Sequence, residues 1–162
     1  MRPGTLAVQL YSVIDALGAD RPGTLARLAG LGFRYVEPFA LGLWNTPPDE
    51  LAASARALRV DLDEAGLGVG SAHIAVSADS QASAIETCRI LGTDTAFVPI
   101  PWLVEGFDER SLETHDGVRA FAGRLNAAAR QPGPLEVVVV VAEPDPRPGQ
   151  LPRRRVETAG EG

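Results

Sequence analysis

One short pattern at the junctions between helices and strands limits what this chain can fold into. A segment with helical spacing of apolar residues ends at a glycine, and an apolar segment follows, at Gly32, Gly66, Gly92 and Gly133. Strands that alternate with helices of ten or more residues indicate βαβ units and a parallel sheet. The chain is therefore expected to have an α/β fold with parallel strands.

The apolar and helical segments give an approximate map of the elements. Predicted strands cover Thr5–Val13, Phe33–Phe39, Leu67–Val76, Thr93–Pro101 and Pro134–Ala142. Predicted helices cover Arg21–Gly32, Pro48–Ala65, Ser77–Gly92 and His115–Arg130. Asp20 precedes Arg21 and Pro22 and is expected to cap the first of these helices, because a carboxylate can accept from free backbone N–H groups.

The last 21 residues differ in character from the rest, so residues 1–141 are assigned to the folded domain. Residues 142–162 contain four prolines and mixed charge without apolar periodicity. Such a segment cannot bury enough surface to offset its ordering entropy, so a disordered tail is expected. We hypothesise that the reading frame is lost between about Arg130 and Val141. A naturally short protein with a disordered tail is the alternative.

Composition excludes several classes of function. The net charge of −6 argues against a nucleic-acid partner, because the field of the whole molecule repels phosphate. All 15 basic residues are arginines, which excludes lysine Schiff-base chemistry and a P-loop lysine. A single cysteine, Cys88, excludes an internal disulfide and a cysteine-rich zinc site. No membrane-spanning stretch or secretory signal is recognisable, so a cytoplasmic location without membrane association is expected.

Four segments, in this order, resemble the xylose isomerase-like TIM barrels, a superfamily described as sugar phosphate isomerases/epimerases. They read LAVQLYSV, LARLAGLGFRYVEPF, LDEAGLGVGSAHI and ETCRILGTDTAFVP. The resemblance runs from about Leu6 to Arg130. It implies a partial (β/α)8 barrel, with about four to five βα units out of a fold that typically has about 250 residues.

The resemblance also implies a cofactor and a substrate class. The full-length family is expected to hold a divalent metal (Mn, Mg or Zn) through carboxylates and histidines on the fifth and later strands. Glu143 could correspond to the carboxylate of the fifth strand, but the proline-rich sequence after it argues against that match. This chain is therefore not expected to bind the metal tightly, and its own metal ligands are unknown. The implied partner is a small sugar.

Two residues are candidates for catalysis because active sites of such barrels lie at the carboxyl ends of the strands. Glu37 follows the apolar strand segment FRYV, and a carboxylate there can bind a substrate, act as an acid or base, or cap a neighbouring element. His73 ends the third strand, where an imidazole can bind a substrate oxygen or a metal, or transfer protons. A structural role is the alternative for both residues.

Other polar and aromatic residues are candidates for substrate binding. Alternation along a strand would place Gln9 and Tyr11 on one face, near the mouth of the barrel. Trp102 could stack on the apolar face of a sugar, whereas Trp44 is expected to cover the rim. His115 is expected to lie in a loop as a solvated or capping residue.

The leading functional hypothesis is a sugar or sugar-phosphate isomerase or epimerase, inactive as this chain alone. Its chemistry would be metal-assisted proton transfer next to a carbonyl, with Glu37 and His73 as accessory groups. An abasic-site endonuclease of the same superfamily and a non-catalytic fragment are the alternatives. The open edges of a partial barrel also lead us to expect self-association.

Overall fold

The computed structural model describes residues 6–39, 41–42, 45–75, 77, 81–98, 101–129 and 136–139. The strands are β1 (Ala7–Gln9), β2 (Tyr35–Glu37), β3 (Gly68–Val69), β4 (Ala72–His73), β5 (Thr95–Val98) and β6 (Glu136–Val139). The helices are α1 (Ile14–Ala19), α2 (Arg21–Gly30), α3 (Pro48–Ala65), α4 (Gln81–Leu91) and α5 (His115–Ala129). Short 3-10 turns cover Leu10–Val13, Pro101–Leu103 and Glu109–Leu112.

The strands are parallel and follow one another in chain order. β1, β2 and β3 form one ladder and β4, β5 and β6 form a second. The predicted third strand is thus divided between the two ladders as β3 and β4. Sequential parallel strands joined through helices are the arrangement of a (β/α) barrel, so the expected partial barrel is confirmed.

A one-residue bulge divides the third strand. The backbone N–H of Gly68 donates to Arg34 O at 2.9 Å, and that of Gly70 donates to Val36 O at 3.0 Å. A regular ladder would next use Ala72. Instead His73 N donates to the oxygen of Pro38 at 2.9 Å, so one extra residue lies in this strand. The bulge reverses which side chains of the third strand face the helices.

The helix ends follow the sequence prediction. The Asp20 side chain accepts from the backbone N–H of Gly23 at 3.0 Å and caps the start of α2. Gly66 ends α3 in the left-handed conformation, with φ 69°, and Gly32 and Gly92 also have positive φ. Glycine adopts this conformation without the steric cost of a Cβ. The residues after each glycine can therefore turn back into the sheet.

The main core lies between the helices and one face of the strands. Its members are apolar side chains with little or no exposure, including Leu25, Leu28, Val36, Ala55, Leu58, Leu62, Val69, Ala72, Ile74 and Leu91. A smaller cluster packs α5 through Phe121 and Leu125 against Val98 and Leu103. Burial of these side chains is the main driving force for folding. No helix in the described part of the chain has the length and apolar character needed to span a bilayer.

Two sequence predictions about the elements were wrong. β1 ends at Gln9, and Tyr11 lies in the 3-10 turn Leu10–Val13 rather than on the strand, with α1 following directly. His115 is the first residue of α5, in agreement with the predicted helix His115–Arg130, so its expected place in the preceding loop was wrong; it is exposed, as expected. Strand alternation failed for Tyr11 because an apolar segment of this length does not distinguish a strand from a turn of helix.

Several predictions fall on residues outside the described part of the chain. They include the tail 142–162, the boundary at residue 141, Trp44 and Glu143. The reading-frame hypothesis, the cytoplasmic location and self-association stay predictions.

Candidate functional site

Three polar side chains meet where neighbouring strands end. Gln9, Glu37 and His73 are the last residues of β1, β2 and β4, and Gln9 lies opposite Glu37 in the register of β1 and β2. Parallel strands bring their carboxyl ends to the same edge of a sheet. Glu37 and His73, which the sequence marked as candidates, are thus in direct contact there.

The Glu37 carboxylate accepts hydrogen bonds from three other residues. Its Oε1 lies 2.7 Å from His73 Nε2 and 3.2 Å from Gln9 Nε2, and its Oε2 accepts from the Ser71 hydroxyl. Ionised carboxylates accept without donating. Gln9 Nε2 also lies 3.0 Å from His73 Nε2. If His73 Nε2 carries a proton directed at Oε1, this Gln9–His73 contact is a close approach of two donors and not a hydrogen bond.

His73 lies beneath this network rather than facing open solvent. Its side chain is 1% exposed, against 22% for that of Glu37. Among the described residues, its Nδ1 is buried without a hydrogen-bond partner. In this arrangement His73 supports Glu37, and Glu37 is the group that a ligand can reach.

The surroundings of Glu37 favour its ionised form. Burial by itself raises the pKa of this carboxyl. Hydrogen bonds from His73 and Ser71, the positive charge of a protonated His73 and the hydrogen bond from Gln9 together outweigh that effect. The pKa therefore lies below its ordinary value of 4.5. A carboxylate held ionised in this way is a good hydrogen-bond acceptor for a ligand and a weak base for abstracting a proton.

Aromatic rings continue from the network towards solvent. Ring centroids lie 4.8 Å apart for Tyr11 and Phe39, 5.4 Å for Phe39 and His73, and 4.9 Å for His73 and Phe97. Tyr11 is 53% exposed, so the series of rings ends at the surface. Tyr11 and Phe39 also border a cavity of about 150 Å³, but its lining does not include Glu37 or His73.

Nothing predicted from the sequence included Ser71, Phe39 or Phe97. Phe39 and Phe97 lie in or near strand ends, a position that could have marked them as candidates. Ser71 lies two residues before His73, and alternation along a strand places such residues on one face, so this spacing could have marked Ser71 as a candidate. Trp102 lies in the 3-10 turn Pro101–Leu103 and is 40% exposed. The contacts of the Glu37 network do not include it.

The described residues do not fit a divalent metal. Within this part of the chain, no group of three or more His, Cys, Asp or Glu side chains could hold an ion. Glu37 and His73 are directed at each other, and the hydrogen bonds of Gln9 and Ser71 take up further acceptor positions of the carboxylate.

Comparisons with known proteins identify the fold. No family model matches the sequence, and no curated protein matches it. A sugar phosphate isomerase/epimerase from Parabacteroides distasonis superposes with a TM-score of 0.61 at 17% identity, over 86% of this chain and 51% of that one. The chain thus spans about half the length of this solved structure.

Two further structures align at lower similarity. A family 2 AP endonuclease from Brucella melitensis aligns with a TM-score of 0.44 at 18% identity, over 73% of this chain and 48% of that one. A fusion of a xylose isomerase-like TIM barrel with 4-hydroxyphenylpyruvate dioxygenase aligns with a TM-score of 0.38 at 18% identity, over 73% and 19%. Neither alignment supports an inference about this chain. The chain has a partial TIM-barrel fold, like that of the Parabacteroides protein over about half of its length.

Proposed function

We propose that this chain supplies the substrate-binding part of a sugar or sugar-phosphate isomerase or epimerase. The observation that carries the proposal is the Glu37 carboxylate, held ionised at the carboxyl ends of the strands by donors from neighbouring strands. The fold match to a sugar phosphate isomerase/epimerase is consistent with this class of substrate. Because the match covers about half of that protein, the activity of a whole enzyme is part of the proposal.

The chemistry of the site suits a polyhydroxylated ligand. A carboxylate offers about four acceptor positions, and Glu37 uses three of them for Gln9, Ser71 and His73. The remaining position on Oε2 can accept from a sugar hydroxyl. The exposed ring of Tyr11, packed on Phe39, presents an apolar face on which the C–H groups of a sugar can rest.

The proposed division of roles follows from these contacts. Glu37 binds a substrate hydroxyl and orients the carbonyl region of the sugar, while His73 and Gln9 hold Glu37. The base that takes the proton next to the carbonyl lies outside this network, because Glu37 is a weak base here. The chain alone is therefore expected to bind sugars without turning them over.

Binding of a panel of sugars tests the proposal. Neutral ketoses and aldoses form one arm and the corresponding sugar phosphates form the other, each titrated into the isotopically labelled full chain and followed by NMR. Ligand-induced shifts are expected at Glu37 and Tyr11. The substitution Glu37→Gln is expected to weaken binding at least about tenfold, because it removes a hydrogen bond to a charged group.

A matched control separates this effect from a general loss of charge. Glu86 on α4 is a partly exposed carboxylate that pairs with Arg89 at 3.2 Å and lies outside the Glu37 network. Glu86→Gln is expected to leave sugar affinity unchanged. If both variants bind sugars as the unaltered chain does, or if no sugar perturbs Glu37, the proposed function is wrong.

A further inference from the structure

Ser71 lies at the bulge between β3 and β4, and its hydroxyl is directed at Glu37 Oε2. We propose that Ser71 is a positioning residue of the site, which fixes the plane of the Glu37 carboxylate so that its free acceptor position faces the bound sugar. The role of Ser71 in sugar binding rests on the proposed function, whereas its contact with Glu37 does not.

The bulge is what brings Ser71 to this face. Val69 and Ala72 both belong to the core next to the helices, with 7% and 1% exposure. In a regular strand, two residues that face the same way are separated by one residue. Val69 and Ala72 are instead separated by two residues, Gly70 and Ser71. The extra residue lets Ser71 and His73 both turn towards Glu37.

The three donors to Glu37 reach both of its carboxylate oxygens. Gln9 and His73 both donate to Oε1, so together they anchor one oxygen and leave the carboxylate free to rotate about it. The Ser71 hydroxyl reaches the other oxygen and removes that freedom. Gln9 comes from β1 and Ser71 and His73 come from the third strand, so the carboxylate of Glu37 on β2 is tied to the strands on both sides.

Acid titration of the Glu37 side-chain carboxyl, followed by ¹³C NMR on the full chain, tests this without a ligand. His73 is the titratable group in contact with Glu37 among the described residues. Ser71→Ala is expected to move the Glu37 midpoint upward by about one pH unit, because a hydrogen bond to the charged form is lost. Ser71→Thr keeps the hydroxyl and is expected to restore the midpoint.

The chain provides controls for this measurement. Ser12 is exposed and donates to the backbone oxygen of Gln9 at 2.6 Å, so Ser12→Ala is expected to leave the Glu37 midpoint unchanged. If Ser71→Ala does not fold, Ser71→Cys matches the serine in shape with a weaker donor and is expected to raise the midpoint as well.

Two results would overturn the proposal. The first is a Glu37 midpoint unchanged in Ser71→Ala and Ser71→Cys. The second is an equal shift in Ser71→Ala and Ser71→Thr, which would show that packing rather than the hydroxyl matters. Failure of sugar binding with a normal Ser71 effect would instead contradict the proposed function and leave the positioning role standing.

Discussion

The two faces of the strands differ in chemistry: one is apolar and packs against the helices, and the other contains a polar network. Val36 and Val69 lie opposite each other on β2 and β3 and are buried against the helices. On the other face, Gln9, Glu37 and His73 form a polar network at the strand ends. Neighbouring residues on a strand point in opposite directions. A single short strand such as β2 therefore contributes both to the core and to the site.

Stability and chemistry are therefore separable on this sheet. Apolar burial on the helix side stabilises the fold without involving any charge. The polar face contains a carboxylate and an imidazole whose arrangement depends on hydrogen bonds. Substitutions on the first face should change the free energy of unfolding most, and substitutions on the second should change ionisation as well.

The largest effect is expected on the helix side. Leu62 on α3 is fully buried, so Leu62→Ala is expected to lower the free energy of unfolding by about 2–5 kcal/mol through lost burial and a cavity. Chemical denaturation measures this. Val60 lies on the same helix with 56% exposure, and Val60→Ala should change stability by less than about 0.5 kcal/mol. Equal effects of the two substitutions would contradict the assignment of the core.

A smaller loss is expected on the polar face. His73→Ala removes a donor to Glu37 and is expected to cost about 1–3 kcal/mol, because a partly buried carboxylate loses a partner. The same denaturation experiment applies, with exposed His115→Ala as the control. If the two histidine variants are equally stable, the network does not contribute to the free energy of unfolding. Stability would then depend on the helix side of the strands and not on the polar face.

The pH dependence of stability distinguishes the faces without any change to the core. The pKa of Glu37 lies below its ordinary value of 4.5 in the folded chain. Its ionised form therefore stabilises the fold above the unfolded pKa, and this contribution disappears as the pH falls through the folded pKa. The stability difference between the unaltered chain and Glu37→Gln is expected to be largest near neutral pH and to shrink below 4.5. A difference that grows towards acid would reverse the sign and contradict the hydrogen bonding described for Glu37.

The smallest effect is expected at a helix end that belongs to neither face. Gly66 has φ 69°, so Gly66→Ala is expected to cost about 1 kcal/mol of stability through backbone strain, with open space around the new methyl group. Gly18 in α1 also has open space but lacks a positive φ. Gly18→Ala should be neutral or slightly stabilising, because alanine favours a helix. Thermal denaturation of both variants decides whether conformation or packing governs the junction.

Much of the fold was predictable from the sequence. Apolar periodicity and the glycines at Gly32, Gly66 and Gly92 marked the helix ends, and α3 has the predicted bounds. These features depend on local backbone chemistry, which a sequence displays directly. The roles of Glu37 and His73 stay predictions, although their contact agrees with a shared position at strand ends.

The sequence by itself determined the order of the elements, their parallel pairing and the polar residues at the strand ends, because these follow from local propensity and from connections through helices. Only the tertiary structure decided which side chains of the third strand face the site. Counted from buried Val69, strict alternation would send both Ser71 and His73 to the helix side, but the extra residue in the third strand turns both towards Glu37. A bulge is a property of pairing between two strands, so its position depends on the register with β2 and is absent from the pattern of either strand alone.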